Sequence, residues 1–456
     1  MDELLVLIPA NNVEERTWII KTIVADFLLI PCKVEISDTI SDYMIVWGDQ
    51  KIVIADFFFS LHKKSLSYLQ KESIPKQLNW FNDLLFTNDK LAIVYGKNEL
   101  IVSDKEIYCG LDIFASAFFM LSRWEEAVIE KKDKFGRCDE NEMFVVKHNI
   151  YERPIVNEYV ELLRLFLQHI GIPLPKEKRH FGVYLTHDID DLFRCASLKN
   201  FCKNIAGDIL HRKSISALAS TLKRYVKFKL GQIKDPFDTF DDLMDLSDRY
   251  GFKNAFYFKA SFLGEFDATY DIRDVKVKKI INNIINRGYE VGFHPSKNTF
   301  HCSGQFKIEI ERLRKICSNV RGGRQHFLLY DIPNALRSWN DNGLEYDAGL
   351  GFASMAGFRC GICYAYPFFD IYERKQLNLI IRPLIVMEGA LFENAKYSTL
   401  ESVELYMKLL ANVVYDYQGD YVFLWHNDNF HRPETEKYGY IYKNIIDYLG
   451  SIYGKN

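Results

Sequence analysis

Residues 182–191 read GVYLTHDIDD, an apolar run that stops abruptly in His187, Asp188, Asp190 and Asp191. Four titratable groups at the end of one strand are costly to hold together unless a cation or acid–base chemistry uses them. Side chains alternate along an extended segment, so Asp188 and Asp190 point the same way. Such a carboxylate pair suits one metal ligand and one base. The plainer alternative is a solvated turn in which Asp caps a following helix.

Three later stretches end in the same kind of residue. Segment 290–299, EVGFHPSKNT, carries His294; segment 321–327, RGGRQHF, alternates Arg324 and His326 onto one face; segment 423–427, FLWHN, carries His426 after Trp425. A histidine at a strand end is ordinarily satisfied by a backbone carbonyl, and pairing with Asp190 strengthens a ligand role for His294. Arg324 can hold a carboxylate ionised by bidentate pairing.

The elements that must position these groups follow from the pattern after Gly182, where apolar strands alternate with helical periodicity. Strands are expected at Val183–Leu185, Asn254–Lys259, Tyr289–His294, Val320–Phe327, Leu344–Asp347, Ile381–Met387 and Tyr421–His426. Helices are expected at Val275–Arg287, Phe306–Ser318, Pro333–Asn340 and Ser402–Tyr417. Seven strands with intervening helices imply a parallel barrel or an open doubly wound sheet. In both, sites collect at the C-terminal strand ends. Asp188, Asp190, His294, His326, Asp347 and His426 all fall at such ends, and scattered core histidines would have no reason to share an edge.

The chain has 456 residues, a formal net charge of -3 and a pI near 6.4, which gives no global pull toward nucleic acid. No stretch approaches the ~20 apolar residues of a membrane span. The N-terminus is acidic before a short apolar run, unlike a secretory leader, so a cytoplasmic placement is expected. Nine cysteines without framework spacing fit free thiols, including Cys360 and Cys363. Residues 1–175 read as a smaller α+β domain of short β-rich runs, with a helix at Leu111–Glu130 whose Arg123, Glu125 and Glu126 suggest an interdomain or surface ion-pair cluster. The Pro- and Lys-rich stretch 171–178 marks the boundary to a second domain, 176–456. Between Arg194 and Lys234 stand ten Lys or Arg and one acid, Asp208, with apolar residues at helical spacing. A basic amphipathic helix pair of this kind can make peripheral contact with an anionic membrane; the alternative is a solvated face over a packed one.

In order along the chain, Thr-x-Asp-x-Asp, Gly-x-His-Pro-Ser, Arg-x-His-Phe, Tyr-Asp-Ala-Gly-Leu and Leu-Trp-His resemble the motifs of the polysaccharide deacetylases of carbohydrate esterase family 4, whose catalytic unit is the NodB-homology domain. The likeness covers residues 180 to 430, and the N-terminal part looks like the accessory domain of one bacterial branch. This resemblance implies an irregular (β/α) barrel of about seven strands. It also implies a divalent metal ion, with Zn²⁺ first in expectation, and an N-acetylated sugar or glycan as substrate. Carried over by motif, Asp188 is the general base, Asp190 and His294 are metal ligands, Arg324 orients Asp188, and His426 is the general acid. Substrate contacts are expected from His187, Asp347 and Trp425.

This chain departs from the family at the second motif, where Asn298 stands in place of the second histidine. His326, where the third motif runs to proline, is the expected replacement ligand. Two rivals stay open: a catalytically degenerate carbohydrate-binding protein, and a metal-dependent hydrolase of non-sugar amides.

Overall fold

The computed structural model describes residues 3–82, 85–87, 89–195, 201–202, 205–206, 209–210, 215–261, 268–394, 396–431 and 436–454. The segment up to Leu111 forms β1 (Leu4–Ile8), β2 (Cys32–Ile36), β3 (Tyr43–Trp47), β4 (Gln50–Ile54), β5 (Asn79–Phe81), β6 (Leu91–Ile93), β7 (Gly96–Val102) and β8 (Glu106–Leu111). Six of these make one mixed sheet in the order β2-β1-β3-β4-β8-β7, and β5 pairs with β6. In β1, Leu4, Val6 and Ile8 are buried and the residues between them are not, which is the period-2 signature of a strand with one face on a core.

A second sheet begins after residue 181. Its strands are β9 (Gly182–Ile189), β10 (Lys253–Phe258), β11 (Glu290–Phe293), β12 (Gly322–Gly323), β13 (Tyr346–Asp347), β14 (Tyr366–Asp370), β15 (Lys375–Ile381), β16 (Val386–Met387) and β17 (Asp420–Leu424). The order is β14-β15-β13-β12-β11-β10-β9-β17-β16, parallel throughout except for β14 against β15. The sheet curls into a half-barrel.

Nine strands therefore replace the seven read from the sequence. The expected strand 381–387 divides, because β15 ends at Ile381 and β16 starts only at Val386. Pro367 hides β14 from a pattern search, yet β14 is an edge strand, where a missing N–H is tolerated. Helices lie against the strands in the βα manner. That at Leu400–Asp416 shows why: Thr399 and Ser402 form a capping box, and Val403, Met407, Leu410 and Val414 bury one stripe.

The N-terminal helices Val13–Ile20 and Ile113–Ser122 cover the β14–β15 edge. Trp18 packs on Phe369 with ring centroids 5.1 Å apart, and its indole N–H donates to Pro367 O at 3.2 Å. The expected helix 111–130 breaks at Arg123, whose φ of 55° is left-handed and costs roughly 1–2 kcal/mol for a residue with a Cβ. Its guanidinium is buried against Glu125 at 2.6 Å and Glu126 at 2.8 Å, and Arg359 from the second half of the chain closes on Glu126 at 2.6 Å. Of the two readings of this cluster, the structure supports a link between the two halves. Cys360 and Cys363 are buried free thiols. Among the described residues, no helix is long and apolar enough to cross a membrane. The expected helix pair in 194–234 lies partly outside the described residues.

Candidate active site

Alternation along β9 sends Thr186 and Asp188 to one face, and Arg324 reaches both. Its Nη1 donates to Asp188 Oδ1 and its Nη2 to Thr186 Oγ1, each at 2.8 Å, while Nε donates to Ala348 O at 2.9 Å. With each nitrogen engaged, the buried guanidinium fixes the orientation of the carboxylate. Glycine makes this approach possible. A Cβ on Gly323 would stand 1.9 Å from Phe293 O, and one on Gly322 would stand 2.4 Å from the Tyr346 ring. Only residues without side chains let β12 lie between β11 and β13 and deliver the next residue, Arg324, to Asp188.

Asp190, His294 and His326 converge beside this pair, with one possible ligand atom from each lying within 4.8 Å of the others. His294 Nδ1 donates to Arg324 O at 2.7 Å, which leaves the lone pair on Nε2. That Nε2 is buried, completes no hydrogen bond, and lies 3.3 Å from Asp190 Oδ1 and 3.7 Å from Asp188 Oδ2. A ring tied down through one nitrogen with the other left unpaired is how a protein presents a histidine to a metal. His326 Nδ1 is also unpaired. Burial pushes the His326 imidazole well below its usual range, so it is neutral, as a ligand must be. One carboxylate and two imidazoles are a donor set suited to Zn²⁺.

A cation already touches this set. Lys259 Nζ lies 2.8 Å from Asp190 Oδ1 and 3.0 Å from His326 Nε2. Burial alone would raise the Asp190 carboxyl, but the Lys259 ammonium outweighs it and the carboxyl lies well below the usual carboxylate range.

On the other carboxylate oxygen, His426 Nε2 stands 3.9 Å from Asp190 Oδ2. Its Nδ1 donates to Glu388 Oε1 at 2.7 Å, and its backbone N–H donates to the same oxygen at 2.8 Å. Burial works against the charged ring, but Glu388 outweighs it and pushes the imidazole pKa up to about 10. His426 is thus an imidazolium at neutral pH. The site opens to solvent at His426 and Asp190, whose side chains are 21% and 33% exposed.

Asp188, Asp190, His294, Arg324, His326 and His426 lie together in the structure. The three expected substrate contacts are placed otherwise. His187 points to the opposite face of β9, where its ring stacks on Phe256 and Nδ1 bonds Trp425 O at 2.8 Å. Trp425 packs beside Tyr442 of the final helix, Glu436–Tyr453, and is fully buried. The period-2 rule that aligns Asp188 with Asp190 turns the residue between Thr186 and Asp188 away from them. Asp347 closes β13, the strand beside β12. It is buried, accepts from Tyr330 Oη at 2.9 and 2.7 Å, and is pushed by burial up to about 6. It supports the site from beneath and does not line the opening.

Lys259 and Glu388 were not singled out from sequence. Both carried the signal that identified the others, a charged residue closing an apolar strand, at 254–259 and just past 381–387.

A family model described as a family of unknown function (DUF7033) matches residues 4–171. No curated protein matches the chain. Among solved structures, the chain is similar to a probable polysaccharide deacetylase from Pseudomonas aeruginosa PAO1, at 12% identity and TM-score 0.39, covering 62% of this chain and 91% of that one. It is also similar to Puue allantoinase, at 11% identity and TM-score 0.37, covering 59% and 84%.

Proposed function

We propose that this chain is a metal-dependent hydrolase of the deacetylase kind, removing an N-acetyl or O-acetyl group from a sugar in polysaccharide or glycolipid assembly. The observation that carries the reading is the convergence of an Arg-held carboxylate, an Asp/His/His donor set with an unpaired Nε2, and a Glu-held imidazolium. Asp190, His294 and His326 would hold the ion, which when bound polarises a carbonyl and acidifies water. Asp188, fixed by Arg324, is placed to accept a proton. His426 is placed to donate one to a departing amine nitrogen or alkoxide.

Acetate release from N-acetylated oligosaccharides by the zinc-loaded protein tests this. Asp188→Asn should lower the rate by about 10²–10⁴ with zinc content unchanged. Equal rates in the variant and the parent would remove Asp188 from the chemistry.

Lys259 favours a second reading, in which its ammonium permanently takes the cation's place and the chain recognises a glycan without hydrolysing it. Glycan binding without zinc uptake would select this reading. Hydrolysis of small amides or cyclic imides, with acetylated sugars untouched, would instead select a non-sugar amidohydrolase.

A further inference from the structure

The basic insertion is rooted at the edge of the site. It leaves the sheet just after Asp190, and Asp235 fastens its return by accepting from the backbone N–H groups of Arg194 and Cys195, each at 2.8 Å. Asn427, next to His426, seals the root through Asp191 O and Phe237 O, each at 3.0 Å.

Within the insertion, the helix Ile215–Lys229 turns an apolar row outward. Ile215, Leu222 and Val226, continued by Leu230 just past the helix, are 86%, 43%, 54% and 66% exposed. At about 100° per residue these positions fall on one stripe. Lys223 and Lys227 flank it on one side and Lys229 on the other, all exposed. Another face is spoken for: Tyr225 stacks on Phe201 at 3.8 Å, and Tyr225 and Phe228 are half-buried. A row of apolar side chains left in water marks an interaction surface. Charge selects the occupant. The segment 194–234 holds ten Lys or Arg against Asp208 alone, in a chain whose net charge is -3.

We propose that this helix lies flat on an anionic lipid surface, with its apolar stripe in the acyl boundary and its flanking lysines among the headgroups. The occupant is thus a bilayer rich in acidic phospholipid, and the helix anchors the insertion without spanning the membrane.

Cosedimentation of the full chain with vesicles tests this. The protein should partition onto vesicles of phosphatidylcholine mixed equally with phosphatidylglycerol, but not onto phosphatidylcholine alone, and added salt should weaken the binding. Leu222→Asp combined with Val226→Asp should lower partitioning about tenfold or more. Lys223→Glu combined with Lys227→Glu should do the same through charge. Both pairs are exposed, so melting temperature should be unchanged. The proposal is overturned if neither vesicle binds, if both bind equally, or if neither double variant reduces binding. A dimer in sedimentation that the Leu222/Val226 variant dissolves would overturn it in favour of a second copy of the chain.

Discussion

Two of the buried charged clusters among the described residues are built to opposite rules. Around Arg123, every oxygen of Glu125 and Glu126 is bonded. Arg123 and Arg359 divide Glu126, Phe144 N–H takes Glu125 Oε2, and Gly351 O takes the remaining donor of Arg359. In the cleft, by contrast, His294 Nε2, His326 Nδ1 and Glu388 Oε2 are buried without hydrogen-bond partners. Saturated charge acts as a structural joint. Unsaturated charge beside an opening is the mark of a site awaiting something, because an unmet buried polar atom costs about 1–3 kcal/mol.

Breaking the joint should have the largest effect. Glu126→Gln leaves two buried arginines sharing one carboxylate and should cost about 3–5 kcal/mol in denaturant unfolding. A loss under about 1 kcal/mol would place that cluster in the same class as the cleft. His294→Gln should do the reverse, weakening zinc binding by about a hundredfold or more while moving the unfolding free energy by less than about 1 kcal/mol. Chelator competition and a melting curve on one preparation check both halves. Lys259→Met should tighten zinc about tenfold by removing a competing positive charge; unchanged affinity would mean that Lys259 swings clear of the site at no cost.

Stability against pH should also differ in sign between the two clusters. Glu126 is buried, yet Arg359 and Arg123 hold its carboxyl down to about 2 from 4.5. Its contribution is therefore present above pH 4.5 and fades as the medium is acidified through 2. His426 is raised from 6.5 to about 10 by Glu388 against the effect of burial, so its contribution is present below pH 6.5 and fades as pH rises through 10. Glu126→Gln should flatten the acid side of the stability profile and Glu388→Gln the alkaline side. Melting temperatures across the pH range separate them; flattening of the same limb by both variants would refute the contrast.

The contrast also explains what could be read from sequence. Strand ends are legible because an apolar run that stops in a titratable residue breaks the composition locally, and this located Asp188, Asp190, His294, His326 and His426. Pairing between distant segments leaves no such local mark. Nothing near Glu126 foretells Arg359, and nothing near His426 foretells Glu388, because each partner is brought in by the sheet order. The lengths of β12 and β13 were overestimated for a related reason. A strand squeezed to Gly322–Gly323 between bulky neighbours has too few side chains to show any period. His187 and Trp425 share the strand-end position but not the facing, and facing decides which side chains reach the Asp188–Asp190 side.

Lys259 carries a consequence for the life history of the protein. Since a side-chain ammonium already balances the acidic member of the donor set, the polypeptide is expected to reach its folded form without an ion, unlike small domains that collapse only around zinc. Under the proposed function, metal loading would then be a separate, reversible event after synthesis, and the resident ion would be set by what the surroundings supply when the lysine yields its seat.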